Sequence, residues 1–261
     1  MNIEDVGLSF AVILKNNKDD SKKSKKVSTT LSCEDDKSKV RNYFEEFHTV
    51  GDENLQLIPS KERERSVLYV VGSSGSGKSY FSCNYIKQYH RIYPKRQVYV
   101  FSIFEKDKSL DSLKFLKRIK LNDEFMNTSL ELKDFANSLL LFDDCDAIKD
   151  KLLRLRLKKI LNSCLELGRH ENVEIIYISH LCCKSQETSS ILNESSSVTF
   201  FPKTFPARSC KYLLDQYYGL DNVQIKRIKN LKSSSRAVTI LRTYPNIVLS
   251  DKQCYILKDD D

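Results

Sequence analysis

The stretch Gly72-Ser73-Ser74-Gly75-Ser76-Gly77-Lys78-Ser79 limits what this chain can fold into more than any other. It reads G-x-x-x-x-G-K-S, a phosphate-binding loop, and its flanks supply the strand–loop–helix context that the pattern needs. The apolar run Val67-Leu68-Tyr69-Val70-Val71 enters as a strand, and Ser79 to Arg91 leaves with a helical pattern. Gly72, Gly75 and Gly77 have no Cβ, so the backbone can close tightly around a phosphate chain. Its N–H groups and the helix N-terminus then face the anion. On this pattern Gly72, Ser73, Ser74, Gly75, Ser76, Gly77, Lys78 and Ser79, with Tyr80 directly after them, bind a nucleotide. Lys78 reaches the β- and γ-phosphates and the Ser79 hydroxyl ligates Mg²⁺, so ATP and Mg²⁺ are the expected cofactors.

A phosphate loop says that nucleotide binds, not what its energy is used for. The second feature bears on that question. Leu139-Leu140-Leu141-Phe142-Asp143-Asp144 is an apolar strand ending in two carboxylates. Continuous apolar runs mark strands covered on both faces, hence a parallel sheet. A carboxylate at the C-terminal end of such a strand emerges beside the loop, where Asp143 is placed to hold Mg²⁺. Asp144 then stands where a general base can orient the attacking water. Either acid taken alone also reads as a turn cap.

The third feature is the strand Val173–Ser179, which ends in Ser179-His180. ATPases of the additional-strand class carry a polar residue here to sense the γ-phosphate. His180 is the first choice, since it reaches further and can donate a hydrogen bond, and Ser179 is the second. The fourth is Gly168-Arg169-His170-Glu171-Asn172, just ahead of that strand. Arg169 on this connection is a candidate arginine finger, offered to the site of a neighbouring subunit. Arg236 is a second candidate, and a surface arginine is the plain alternative for both.

In chain order, Val6–Leu14 reads as a short strand and residues 15–39 as a basic low-complexity linker containing Lys22-Lys23-Ser24-Lys25-Lys26. Val40–His48 has aromatics at helical spacing, and Asn54–Pro59 is extended. Gln97–Ser102 is a strand, Lys106–Lys120 a helix or two, and Ile148–Leu167 a long amphipathic helix stopped at Gly168. Its apolar side is drawn from Leu152, Leu153, Leu155, Leu157, Ile160, Leu161, Cys164 and Leu165. Ser197–Phe201 and Ala237–Leu241 read as strands, Tyr212–Tyr218 and Asn222–Leu231 as helices. The division is an N-terminal extension, 1–65, and a P-loop ATPase domain, 66–261. The fold class is α/β, a three-layer P-loop NTPase with a mostly parallel central sheet of the additional-strand type.

Composition narrows the setting. The chain has 261 residues, 40% apolar and 30% charged, which supports a real core within a soluble protein. Lys and Arg number 43 against 35 Asp and Glu, a surplus of +8 that is compatible with nucleic acid as a partner. Eight cysteines include no C-x-x-C pair, which fits a reducing, cytoplasm-like compartment better than a disulfide frame or a zinc site. No apolar run has the length of a membrane span.

Taken together, the loop, the Asp143-Asp144 strand, the Gly168–Asn172 segment and Ile178-Ser179-His180 resemble, in order and spacing, the poxvirus-type DNA-packaging ATPases of large DNA viruses. Phe201-Pro202-Lys203 fits the same pattern. That family lies within the FtsK–HerA superfamily, and the resemblance spans roughly Ser66 to Leu257. Many relatives have Gln at the position of His180 and many have Glu at the position of Asp144. The resemblance implies a homo-oligomeric ring that uses Mg-ATP to translocate double-stranded DNA in viral genome packaging, with capsid or portal components as further partners. It implies the host cytoplasm, a virus factory or the virion as its place. Basic residues of 151–159 and 226–236 would then line a path for DNA phosphates. Two other classes of function share the loop: a small-molecule or nucleoside kinase, and a nucleotide-gated binding or scaffold protein with little turnover.

Overall fold

The computed structural model describes residues 8–14, 28–33, 46–180, 182, 186–231 and 236–257. The strands are β1 (Leu8–Leu14), β2 (Ser28–Cys33), β3 (Glu46–His48), β4 (Asn54–Leu57), β5 (Val67–Val71), β6 (Gln97–Ser102), β7 (Leu116–Lys120), β8 (Ser138–Asp143), β9 (Glu174–Ser179), β10 (Ser197–Phe200), β11 (Val238–Leu241), β12 (Ile247–Leu249) and β13 (Gln253–Ile256). The helices are α1 (Lys78–Ile92), α2 (Asp123–Asn127), α3 (Lys151–Leu167), α4 (Gln186–Glu194), α5 (Ala207–Tyr212) and α6 (Asn222–Lys229). A π-helical turn, Leu213–Tyr217, continues α5.

Ten strands form one sheet in the order β3-β13-β12-β11-β10-β5-β9-β8-β6-β7. The six from β10 to β7 are parallel, and the four on the other side run antiparallel. The strand ending in Ser179 thus lies between the strand feeding the phosphate loop and the strand ending in Asp143. This is the additional-strand order, and the fold is the expected three-layer α/β P-loop NTPase.

The central strands are buried on both faces because their apolar runs are unbroken. Alternate residues go to opposite sides. Tyr69 and Val71, Leu140 and Phe142, and Ile175 and Tyr177 pack with Leu157, Leu161 and Cys164 of α3. Leu68 and Val70, Leu139 and Leu141, and Ile176 and Ile178 pack with Cys83, Ile86 and Tyr89 of α1. Each such side chain contributes about 1.5–3 kcal/mol on burial, which fixes strand register firmly. At the far end of α3, the Arg65 guanidinium donates to the carbonyls of Cys164 (2.7 Å), which also accepts from Gly168 N–H, and Leu165 (3.0 Å), adding a side-chain cap to the helix end.

Several expectations need correction. Residues 28–33, inside the expected linker, form β2, and Thr29 and Thr30 suit a strand. β2 pairs with β1, which pairs with β4, as a separate antiparallel sheet. The rest of that linker, with Lys22–Lys26, lies outside the described residues. Glu46–His48 is an edge strand of the main sheet and not part of a helix; residues 40–45 lie outside the description. Phe10, Ile13, Leu31, Leu55 and Leu57, all before residue 66, share a core with α1. The 106–120 stretch is a 3₁₀ turn, Leu110–Ser112, followed by β7. Pairing with β6 overrides its helical spacing there, and exposed Lys117 and Lys120 protect the sheet edge. Leu152 and Leu155 of α3 face solvent, because only part of the helix lies over the sheet.

Candidate nucleotide-binding site

The parallel strands bring their C-terminal ends to one edge. Val71 is level with Ser179, and Ile178 with Asp143. The phosphate loop leaves β5 at that edge and enters α1 through Gly77, whose φ of 106° is a conformation that favours glycine. Gly75 is likewise at φ 72°. Gly72 is required for a different reason: a Cβ there would lie 2.7 Å from Ser76 Oγ and 2.8 Å from Phe201 Cδ2. The loop is braced from below by β9 and from the side by the chain after β10. Gly72 N–H donates to Ser179 O (3.2 Å), and the Ser73 hydroxyl donates to Thr204 O (2.8 Å).

Lys78 is buried and its ammonium bridges the loop itself, donating to Gly72 O (2.9 Å) and Ser73 O (3.1 Å). It also meets His180 Nδ1 at 3.2 Å. The other ring nitrogen, Nε2, lies 2.9 Å from Asp144 Oδ1. A lysine has no acceptor, so Nδ1 accepts from it, and Nε2 is left facing the carboxylate. Burial holds the Lys78 ammonium below its ordinary pKa, while Asp144 and Asp143 act in the opposite direction. Asp144 has φ 50°, a left-handed conformation that aspartate tolerates better than most residues.

Asp143 is buried at the end of β8. Burial, then the charges of Asp144 and Asp107, pushes its carboxyl up to about 7. A buried acid flanked by acids suits a cation. No group of three or more His, Cys, Asp or Glu able to cage a metal exists among the described residues. Magnesium does not need one: it is commonly held by one or two carboxylates together with substrate phosphates. Asp143 and the half-buried Ser79 fit that pattern.

Sequence reasoning missed Asp146. Its carboxylate accepts from the Tyr177 hydroxyl (2.9 Å) and from the Ser179 hydroxyl. Ser179 is therefore committed to bracing the strand end, and His180 is the residue that faces Lys78. The third acid of Asp143-Asp144-Cys145-Asp146 was the available signal. Arg169 is not brought to this edge. It precedes β9, at the opposite edge of the sheet, where its Nε is 3.3 Å from Glu64 Oε2. Arg236, at φ 63° and exposed, precedes β11 on the same edge as the loop. Arg156 of α3 donates to Met126 O (3.0 Å) and to Thr128 O, and Arg227 of α6 is 3.0 Å from Glu46 Oε2. Neither is a free basic group.

Cys83, Cys145, Cys164 and Cys210 are buried free thiols, Cys254 is buried and Cys182 is half-buried. No helix among the described residues is long and apolar enough to cross a membrane.

No family model matches the chain. Among solved structures it is similar to the genome packaging NTPase B204 of Sulfolobus turreted icosahedral virus 2, at 14% identity and a TM-score of 0.45 over 75% of this chain and 98% of that one. It is also similar to EssC (ATPases 2 and 3) of Geobacillus thermodenitrificans, at 12% identity and a TM-score of 0.49 over 80% of this chain and 43% of that one. In sequence it is 42% identical over 183 residues to uncharacterized protein V3 of Sputnik virophage, covering 69% of this chain and 73% of V3. The chain is a P-loop NTPase by its strand order and loop, and belongs to the same family as virophage protein V3.

Proposed function

We propose that this protein is a Mg-ATP-dependent motor ATPase that translocates double-stranded DNA, in viral genome packaging. The observation that carries the reading is the Lys78–His180–Asp144 chain at the ends of three adjacent strands. It couples the group that binds the γ-phosphate to a polar sensor and to an acid able to orient water. In this reading Gly72 to Tyr80 cradle the phosphates, and Ser79 and Asp143 hold Mg²⁺. The metal supplies charge neutralisation on the phosphate oxygens. When ATP arrives, its γ-phosphate takes the place of the Gly72 and Ser73 carbonyls around Lys78. His180 then has the phosphate as an alternative partner, and Asp144 is released to accept a proton from water.

Arg169 lies across the sheet from its own loop and would act on a neighbour's site. A head-to-tail ring provides such an arrangement. The exposed Lys151, Arg154 and Lys159 of α3 and the net charge of +8 are what support DNA as the substrate.

The test is phosphate release from the purified protein with and without double-stranded DNA, across a salt series. Stimulation by DNA that fades as salt rises is expected. Turnover that DNA leaves unchanged, together with no DNA binding at low salt, overturns the motor reading. Transfer of the γ-phosphate to a nucleoside would favour a kinase instead, and retention of ATP for hours in a single-turnover assay would favour a scaffold.

A further inference from the structure

Beside the phosphate loop lies a cavity of about 430 Å³, within the roughly 300–1,000 Å³ range of small-molecule sites. One wall is a single face of α1 and the residue before it, Gly77, Tyr80, Phe81 and Asn84, which recur at helical spacing. The facing wall comes from outside the P-loop core: Leu14 of β1 and Asn54–Leu57 of β4. The two walls are tied together, since Gln56 Nε2 donates to Asn84 O across 2.9 Å.

The direction of a bound triphosphate follows from the loop. Lys78 Nζ faces His180, which marks the γ end. The backbone N–H groups of the loop cradle the α- and β-phosphates, on the sugar side of the group that Lys78 reaches. A nucleoside attached there continues past Tyr80, which is where the cavity opens. Tyr80 is 67% exposed, an aromatic ring with little of its surface covered by protein. Such a ring offers a π-face to a base. Asn84 and Gln56 place polar groups in the walls, and Phe201 places apolar surface there.

We propose that this cavity takes the nucleoside of the triphosphate, and that the N-terminal sheet is its outer wall, so that β1 and β4 are part of the nucleotide site. The proposal rests on the phosphate-loop reading above. It makes β1 and β4 determinants of nucleotide affinity.

The experiment compares ATP with inorganic tripolyphosphate, which has the phosphates and no nucleoside, by calorimetry on the full chain. Leu14→Trp fills the cavity from the N-terminal sheet and Asn84→Tyr fills it from α1. Both substitutions should weaken ATP roughly tenfold or more while tripolyphosphate stays within about twofold. Unchanged ATP affinity in both variants overturns the proposal. So does equal weakening of ATP and tripolyphosphate, which would mean that the loop itself was disturbed. Failure of the wild-type protein to bind tripolyphosphate, by contrast, overturns the phosphate-loop reading beneath it.

Discussion

Nε2 of the His180 imidazole lies 2.9 Å from Oδ1 of the Asp144 carboxylate, so the residue after β9 and the second acid of the β8 strand end are in direct polar contact. With Lys78 on the other ring nitrogen at 3.2 Å, His180 bridges the loop and the acid pair.

Removing the bridge should separate binding from turnover. His180→Ala is expected to lower kcat by about 10²-fold, the lower end of what a positioned acid–base group contributes, while ATP affinity changes little. His180→Gln keeps a donor at similar reach and should lose less. Asp144→Asn should bind ATP and leave it uncleaved. Steady-state kinetics beside equilibrium binding check all three, and normal turnover by Asp144→Asn would sink the assignment of the base.

Lys78→Ala should abolish hydrolysis and weaken ATP binding strongly, because it removes the ammonium held against the loop carbonyls of Gly72 and Ser73. Thermal unfolding of the free protein should shift little. The ammonium is buried against two carbonyls, and its desolvation offsets much of what those bonds contribute.

Gly72→Ala tests the loop geometry without touching a charge. Its Cβ would meet Ser76 Oγ at 2.7 Å and Phe201 Cδ2 at 2.8 Å. Overpacking of this kind destabilises by roughly 1–3 kcal/mol, readable in urea unfolding. Adding Phe201→Leu should recover part of the loss. Additivity of the two changes would show that the Phe201 contact is not the cause.

The raised pKa of Asp143 gives stability a pH signature. In the folded state its carboxyl titrates at about 7, above its ordinary value of 3.8. Between those values the folded state holds the proton and the unfolded state does not. The contribution is therefore fully present below the unfolded value and is lost as pH rises through about 7. Asp143→Asn removes this dependence. At pH near 8 the metal-free variant should be more stable than wild type, on the order of 1–3 kcal/mol, and near pH 4 the difference should shrink. Equal stability at both pH values would contradict the assignment.

If Arg169 completes a neighbour's site, Arg169→Ala and Lys78→Ala should each be inactive alone yet regain activity on mixing. Mixed rings would contain intact sites built from one subunit's loop and the other's arginine. Mixtures with no more activity than the separate variants would return Arg169 to the role of a surface partner for Glu64.

The site was legible in the sequence wherever its residues are consecutive. Gly72–Ser79 and Leu139–Asp144 each carry their own context, since an apolar run must be a buried strand and a polar residue after it must emerge at the sheet edge. The same logic found Val173–Ser179, and the class expectation built on it put that strand between the other two. What no local pattern held was pairing between distant segments. Asp146 takes the Ser179 hydroxyl across 33 residues of chain, which leaves His180 as the residue facing Lys78. Residues 28–33 read as part of a polar linker because a strand whose partner lies outside it has no signal of its own; only pairing with β1 makes it a strand. The loop itself is determined by the sequence alone, since Gly, Lys and Ser at set spacing have few alternatives. Tertiary structure decided which acid and which histidine meet it, and that the N-terminal strands wall the space beside it. Those contacts depend on burying apolar faces of segments far apart in the chain.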